Sequence, residues 1–260
     1  MRIALGVEYD GTAFAGWQSQ THGNTVQDVL ENALSRIAAE PVRVTCAGRT
    51  DAGVHALAQV VHFDTAVDRP PGAWVRGTNS HLPRPVAVRW AQPVADEFHA
   101  RFCALSRSYR YVLLNRPVRP ALQQGRFGWF HRPLDVDVMR EAASLLLGEH
   151  DFSAFRAAEC QAKSPVKHCY RADVARDGDI VTFDFRASAF LHHMVRNIVG
   201  ALVYIGKGRH PPGWMGEVLA GRDRKRGAPT FDSAGLYFTG VEYDAKWGLP
   251  PGGGIIHPWI

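Results

Sequence analysis

A chain of 260 residues, 46% hydrophobic and 21% charged, can bury a substantial core as one large domain or two modest ones. No apolar run approaches the roughly 20 residues a bilayer span requires, and the N-terminal pattern, which carries Glu8 and Asp10, lacks the apolar stretch of a signal peptide, so a cytoplasmic protein without membrane attachment is expected. A net charge of +5 and a pI near 9.2 point toward a polyanionic partner.

In chain order, residues 2–10 read as a strand followed by a Gly-bearing loop. Residues 25–40 form an amphipathic helix, with Val26, Val29, Leu30, Ala33, Leu34 and Ile37 at helical spacing and Thr25 with Asp28 resembling a capping box. Two strands follow, 42–47 and 54–63, both rich in β-branched residues. A short helix is expected near 72–80 and a strand over 86–94. This order, β-α-β-β-α-β, is that of a split βαβ or ferredoxin-like unit.

A related order begins near residue 106. A strand over 109–114 leads into a long connection bearing Arg and Pro, then a helix over 135–147. Strands fit 169–175 and 180–187. A helix spans 192–205 with Gly206 as its C-cap, a shorter one spans 214–220, and 236–242 alternates as a closing strand. The expected fold is therefore α+β: two ferredoxin-like halves, 1–105 and 106–260, joined into a broad, mainly antiparallel sheet with helices packed on one face.

The chemistry concentrates at Gly48-Arg49-Thr50-Asp51-Ala52-Gly53-Val54-His55, where one carboxylate sits in a glycine-bounded turn between two strands. Thr-Asp-Ala-Gly by itself makes a turn. Glycines at both ends also let the backbone present Asp51 at a strand end. Arg49, two residues before Asp51, is placed either to pair with it or to reach a phosphate. On the 192–205 helix, Met194, Val195, Ile198, Val199, Ala201, Leu202 and Ile205 form one apolar stripe. Arg196 lies nearly opposite it, beside Val203 and Tyr204, so the helix is covered on more than one face and a partly enclosed Arg196 requires an anion.

Basic residues crowd one stretch, Arg101, Arg107, Arg110, Arg116, Arg119, Arg126 and Arg132, interleaved with Tyr109, Tyr111, Phe127, Trp129 and Phe130. A second run contains Arg222, Arg224, Lys225 and Arg226. Cations beside aromatic faces suit phosphates and unstacked bases; the alternative is a solvated surface with its aromatics turned to the core. Cys46, Cys103, Cys160 and Cys169 form neither a Cys-x-x-Cys pair nor a zinc spacing. Adjacent His192 and His193 would project about 100° apart on a helix, so no metal is expected.

The Asp51 turn resembles the catalytic motif of the pseudouridine synthases, specifically the family that modifies the anticodon arm of tRNA. The resemblance extends over nearly the whole chain. It takes in Val7-Glu8-Tyr9-Asp10-Gly11-Thr12 through Gly16-Trp17-Gln18, then Phe98-His99-Ala100-Arg101 and Tyr109-Arg110-Tyr111. It continues through Gly148-Glu149-His150-Asp151-Phe152, Phe190-Leu191-His192-His193-Met194-Val195-Arg196-Asn197-Ile198-Val199-Gly200 and Gly235-Leu236-Tyr237. The glycine-rich tail ending Pro258-Trp259-Ile260 is less diagnostic.

The resemblance implies isomerisation of uridine to pseudouridine at positions 38, 39 and 40 of the anticodon stem-loop. The glycosidic bond breaks, the base turns, and it rejoins through carbon 5. Nothing is oxidised and no atoms are added, so no cofactor is required. By resemblance Asp51 is the essential carboxylate, attacking the sugar carbon or removing a sugar proton, and it is also the anion for Arg196. Tyr109 packs against the target uracil, with Tyr111 on the same strand face as the rival. Arg49, Tyr109 and the Leu191–His192 turn cradle the extruded nucleotide, and His55 is a neighbour whose strand position equally suits packing. Arg224, Lys225 and Arg226 bind RNA, and a homodimer extends the basic surface over the tRNA. Two rival functions are a non-catalytic tRNA-binding α+β module and a hydrolase using Asp51 as nucleophile.

Overall fold

The computed structural model describes residues 1–21 and 23–250; the tail that ends in Pro258-Trp259-Ile260 lies outside them. The chain divides into two compact units. One comprises Met1–Ser106 together with the segment from Tyr237 onward, and the other comprises Arg107–Leu236.

The first unit opens with strand β1 (Arg2–Tyr9), whose residues Ile3, Leu5 and Val7 are fully buried. Helix α1 (Val26–Ala38) starts where Thr25 Oγ1 accepts the Asp28 N–H at 3.2 Å, a cap worth about 1 kcal/mol. Its buried stripe includes Leu30 and Leu34, each contributing roughly 1.5–3 kcal/mol by leaving water. Strand β2 is only Thr45–Cys46, shorter than the 42–47 strand its β-branched residues suggest.

The reason for that shortening is that α1 takes the donors a ladder would use. Val42 N–H donates to Ser35 Oγ at 2.9 Å and Val44 N–H to Glu31 Oε1 at 2.9 Å. Glu31 also accepts Gln27 Nε2 at 2.8 Å, so two polar residues are buried on the face that faces the core.

Strand β3 (His55–Asp64), helix α2 (Pro71–His81) and strand β4 (Val86–Val94) follow. The strands run in the order β4-β1-β3-β2, each neighbour antiparallel. β1 and β2 are thus parallel with β3 inserted between them, the arrangement expected of a split βαβ unit.

The second unit takes most of β5 (Ala104–Asn115), then β6 (Gly128–Phe130), α3 (Val136–Ser144), β7 (Gly148–Asp151), β8 (Val166–Asp177) and β9 (Ile180–Ala187). Its sheet runs β5-β9-β8-β7 with antiparallel neighbours, and β6 adds to β5 in parallel. β5 and β8 therefore flank β9 in a second split βαβ, with α3 between them in sequence. Both units are α+β. Helices α4 (Met194–Gly206) and α5 (Trp214–Gly221) complete the unit before β10 (Leu236–Tyr243).

Two boundary expectations change. Gly206 is the last residue of α4 rather than its cap; a Cβ there would collide with Met139 Sδ on α3, and the turn beyond is made by Gly208 at φ +74°. A division at 105/106 assigns all later residues to the second half, whereas β10 pairs in parallel with β3 through Tyr237 with His55 and Phe238 with Ala56. A strand's partner is chosen by tertiary packing, and the alternation of 236–242 carries no information about it.

Candidate active site

Asp51 is half-buried in a loop whose neighbours on both sides are fastened. Before it, the fully buried Gln59 brackets Gly48, donating from Nε2 to the Gly48 carbonyl at 2.6 Å and accepting the Gly48 N–H at 3.4 Å. Thr50 is buried, its Oγ1 2.8 Å from the Tyr9 hydroxyl and its carbonyl accepting the Trp17 N–H at 3.0 Å. After it, Val54 N–H donates to the Asp51 carbonyl at 3.1 Å and Gly53 N–H to the Phe14 carbonyl at 3.3 Å. Burial pushes the Tyr9 hydroxyl well above its ordinary range, so the Tyr9–Thr50 bridge stays neutral at any physiological pH.

The 9–17 loop fits this turn because glycines let backbone meet backbone. A Cβ on Gly11 would collide with the Val54 carbonyl. Gly16 has φ +92°, and its Cβ would lie 2.8 Å from the Thr50 carbonyl oxygen. Of the two glycines bounding the motif, only Gly53 uses the left-handed region, at φ +77°.

His55 is a buried positioning residue. Gly11 N–H donates to its Nδ1 at 3.1 Å, Asp10 Oδ1 lies 3.2 Å from the same atom, and its ring stacks on Tyr237 at 4.6 Å. Arg49 is exposed. Burial raises the nearby Cys46 thiol to about 12, with the charges of Arg49 and Arg101 pulling the other way.

In the second unit, Tyr109 and Tyr111 share a face of β5 at different depths. Tyr111 is fully buried, donates its hydroxyl to the Asp232 carbonyl at 3.0 Å and meets Phe183 and Phe231 edge to face. Tyr109 lies nearer the surface and meets Phe190 edge to face at 4.9 Å. Arg196 is half-buried; its Nε donates to the Phe231 carbonyl at 2.9 Å, and its own carbonyl accepts the Phe231 N–H at 3.2 Å.

Phe190 and Phe231 thereby tie the tyrosine strand to the start of α4. That helix begins later than its periodicity suggests. His193 adopts φ 61°, a left-handed conformation histidine tolerates better than most side chains, and α4 starts at Met194. The His192 carbonyl accepts the Ala157 N–H at 3.0 Å, which fixes the Leu191–His192 turn.

The basic run splits by role. Arg224 is bound to the protein itself, through Asn197 Oδ1 at 2.9 Å, the Ala228 carbonyl at 2.8 Å and Thr230 Oγ1 at 3.1 Å. Burial lowers its pKa accordingly. Lys225 and Arg226 are exposed on the one-turn segment Arg224–Arg226. In the upstream basic stretch the aromatics mostly turn inward: Tyr109, Tyr111 and Phe127 are buried, while Trp129 remains exposed with its Nε1 on the Arg116 carbonyl at 2.9 Å. Arg110 grips Asp184 with two hydrogen bonds of 2.7 and 2.9 Å.

Sequence reasoning missed the buried amides Gln59, Asn115 and Asn197. Asn115 holds the long connection through the carbonyls of Phe130 and Arg132 at 3.0 and 2.7 Å, and Asn197 joins Phe155, Arg224 and Thr230. Their signal was a polar side chain within an apolar run.

The sequence model of a family described as tRNA pseudouridine synthase matches residues 6–103 and 142–244. A protein of Dechloromonas aromatica (strain RCB) named tRNA pseudouridine synthase A is 67% identical over 250 residues, 96% of this chain and 95% of its own length. Proteins of the same name from Aromatoleum aromaticum (strain DSM 19018 / LMG 30748 / EbN1) and Burkholderia multivorans (strain ATCC 17616 / 249) are 66% and 59% identical, covering 98% and 100% of this chain and 97% and 96% of theirs.

Proposed function

This chain belongs to the tRNA pseudouridine synthase family, and we propose from that premise that it isomerises uridine to pseudouridine at positions 38, 39 and 40 of the anticodon stem-loop of tRNA. The observation that carries the reading is the Asp51 loop. Gln59, Tyr9, Trp17, Phe14 and the 51–54 turn fix the backbone on both sides of Asp51, so its neighbours set where the carboxylate stands. Such pre-organisation is what a reaction that depends on one positioned group requires.

In this reaction the base leaves the sugar carbon, stays in the pocket, turns, and bonds through its carbon 5, from which a proton departs. Asp51 starts the sequence by attacking the sugar carbon or by removing a sugar proton. Tyr109 rather than Tyr111 packs against the uracil, because the Tyr111 hydroxyl is already committed to Asp232 and its ring is enclosed. Arg49 fills the space of the flipped nucleotide or holds a phosphate, and Arg196 supplies positive charge from the start of α4. Lys225 and Arg226 reach the RNA backbone, with Arg224 as their anchor. The enzyme works in the cytoplasm as a homodimer, since one body of this size covers only part of a tRNA. Among the described residues no helix is long and apolar enough to cross a membrane.

Asp51→Asn tests the assignment, with tritium release from tRNA labelled at uridine carbon 5 as the readout. Turnover should fall by at least about three orders of magnitude, in line with loss of an essential group. Melting temperature and tRNA affinity should stay near wild type, because a half-buried loop side chain contributes little packing. Normal release would remove Asp51 from the mechanism, and wild-type protein that binds tRNA without releasing label would support the binding-module reading instead. Light scattering that gives a monomer with full activity would reject the dimer.

A further inference from the structure

The end of α4 opposite Arg196 gathers cations around aromatic rings. Lys207 Nζ lies 3.9 Å from the centroid of Tyr204 and 5.9 Å from that of Phe130, and Arg209 Cζ lies 4.7 Å from Tyr204. One tyrosine thus faces two cations. Beside them His210 stacks on Trp214 at 4.0 Å with the planes only 13° apart. Arg132 is exposed and close enough to Lys207 to oppose its charge.

A structural explanation would be that these cations satisfy the end of the helix. The helix does not need them. The carbonyl of Val203 accepts Lys207 N–H at 3.1 Å, Tyr204 accepts Arg209 N–H at 3.0 Å, Ile205 accepts Gly208 N–H at 2.8 Å and Gly206 accepts Asp135 N–H at 2.8 Å. Each carbonyl from Val203 to Gly206 is met by a backbone donor. What remains is the helix dipole, a weak attraction that salt screens. Against it stands mutual repulsion: burial, then Arg209 and Arg132, lower the Lys207 pKa, and burial followed by Arg209 lowers that of His210, with Glu217 alone among its carboxylate neighbours opposing. Among the described residues, none of Arg132, Lys207 and Arg209 has a carboxylate within ion-pair reach.

We propose that Lys207 and Arg209, set over the face of Tyr204, together with the neighbouring Arg132, bind the sugar-phosphate backbone of the tRNA stem. The inference rests on the functional reading above and extends it to a second region of the same helix. From Arg196 to Lys207 is 11 residues of α4, about 16 Å at 1.5 Å per residue. That is about five base steps at 3.4 Å along a strand, so a stem engaged at the start of the helix reaches the patch at its end. Guanidinium and ammonium groups suit phosphate oxygens, and pairing of this kind adds affinity without reading sequence.

The test is the double variant Lys207→Gln, Arg209→Gln, which removes two charges and keeps polar stems over Tyr204. In tRNA titrations over a salt series, the slope of log affinity against log salt should become shallower by about two, one for each phosphate no longer neutralised. KM should rise in step while kcat at saturating tRNA stays at wild type, and the melting temperature should hold or rise as repulsion is relieved. Arg209→Glu should weaken binding further. An unchanged salt slope and KM would overturn the proposal, as would a fall in melting temperature with the slope intact, which would make the cations a helix-end device. Tritium release by the wild type keeps the two readings separate. Release together with an unchanged slope in the variant sinks the patch alone, whereas no release sinks the enzymatic reading and leaves the backbone binding to be judged on the slope.

Discussion

The Asp51 loop and the Arg224–Arg226 turn are both short polar connections, yet opposite devices hold them. Around Asp51 the fastening is done by backbone groups and neutral side chains, chiefly Gln59, Thr50 and Tyr9. In the 224–226 turn the charge itself is the fastener, since the Arg224 guanidinium bonds Asn197, Ala228 and Thr230. The contrast is between a loop whose flanks are fastened by neutral groups and a turn in which the guanidinium itself makes the fastening bonds.

The largest break in this comparison should come from Gly11→Ala. Its Cβ meets the Val54 carbonyl, which is backbone and cannot swing aside, so the Asp51 turn must shift. A displacement near 1 Å costs on the order of 100-fold in turnover, and overpacking of this kind costs about 1–3 kcal/mol in stability. Tritium release and thermal melting on one preparation check both; wild-type values for each would show that the two loops are not rigidly matched.

Arg224→Ala should behave in the reverse manner. It leaves the Ala228 carbonyl without its donor and Asn197 Oδ1 with the Thr230 hydroxyl alone, at a cost of about 1–3 kcal/mol. Melting should drop by about 2–4 °C for each kcal/mol, while turnover at saturating tRNA below the transition remains near wild type. A variant that melts normally and loses only RNA affinity would put Arg224 on the RNA after all.

Replacing Lys225 and Arg226 together by alanine sharpens the same contrast from the other side. Stability should move by no more than about 0.5 kcal/mol, because both are exposed and away from the packed network. The salt slope of tRNA binding should fall by about two. Retention of the full slope would leave this pair as solvated surface.

A pH-dependent effect concerns His62, in the first unit. Its Nδ1 accepts the Ala100 N–H at 3.2 Å, and burial, followed by the charge of His99, lowers its pKa from 6.5 to about 4. Between those values the unfolded chain binds a proton that the folded chain refuses, so stability rises with pH across the window and is complete above it. On acidification from 6.5 toward 4 the contribution is lost. His62→Gln keeps an acceptor and cannot titrate, so its melting temperature should depend less on pH in that range. Parallel melting curves for variant and wild type would discount this histidine.

Much of the architecture was legible in order of elements. The spacing in 25–40 and 180–187, the turn-bounded Asp51 and the αβ alternation all depend on residues a few positions apart, and the observed α1, β3, β4 and β9 follow them closely. The candidate site was legible in part. Asp51 and Arg49 announce themselves by a carboxylate and a cation in a glycine-bounded turn, but nothing local marks Gln59 or Tyr9 as the groups that hold that turn. Tyr109 and Tyr111 are equivalent by alternation and differ only in depth, which packing of Phe183, Phe190 and Phe231 decides.

By itself the sequence determined the kind of elements, the presence of two similar βαβ orders and the motif that places the chain in its family, because periodicity and turn chemistry act over a few residues. Only the tertiary structure decided which arginines are bound to the protein, why 42–44 leaves the ladder for α1, which strand β10 joins, and that Lys207 and Arg209 share one tyrosine face with the charge of Arg132 close to Lys207. Those outcomes depend on partners far apart in the chain, 75 residues between Arg132 and Lys207 and 182 between His55 and Tyr237, and such partners come together only when the chain has folded.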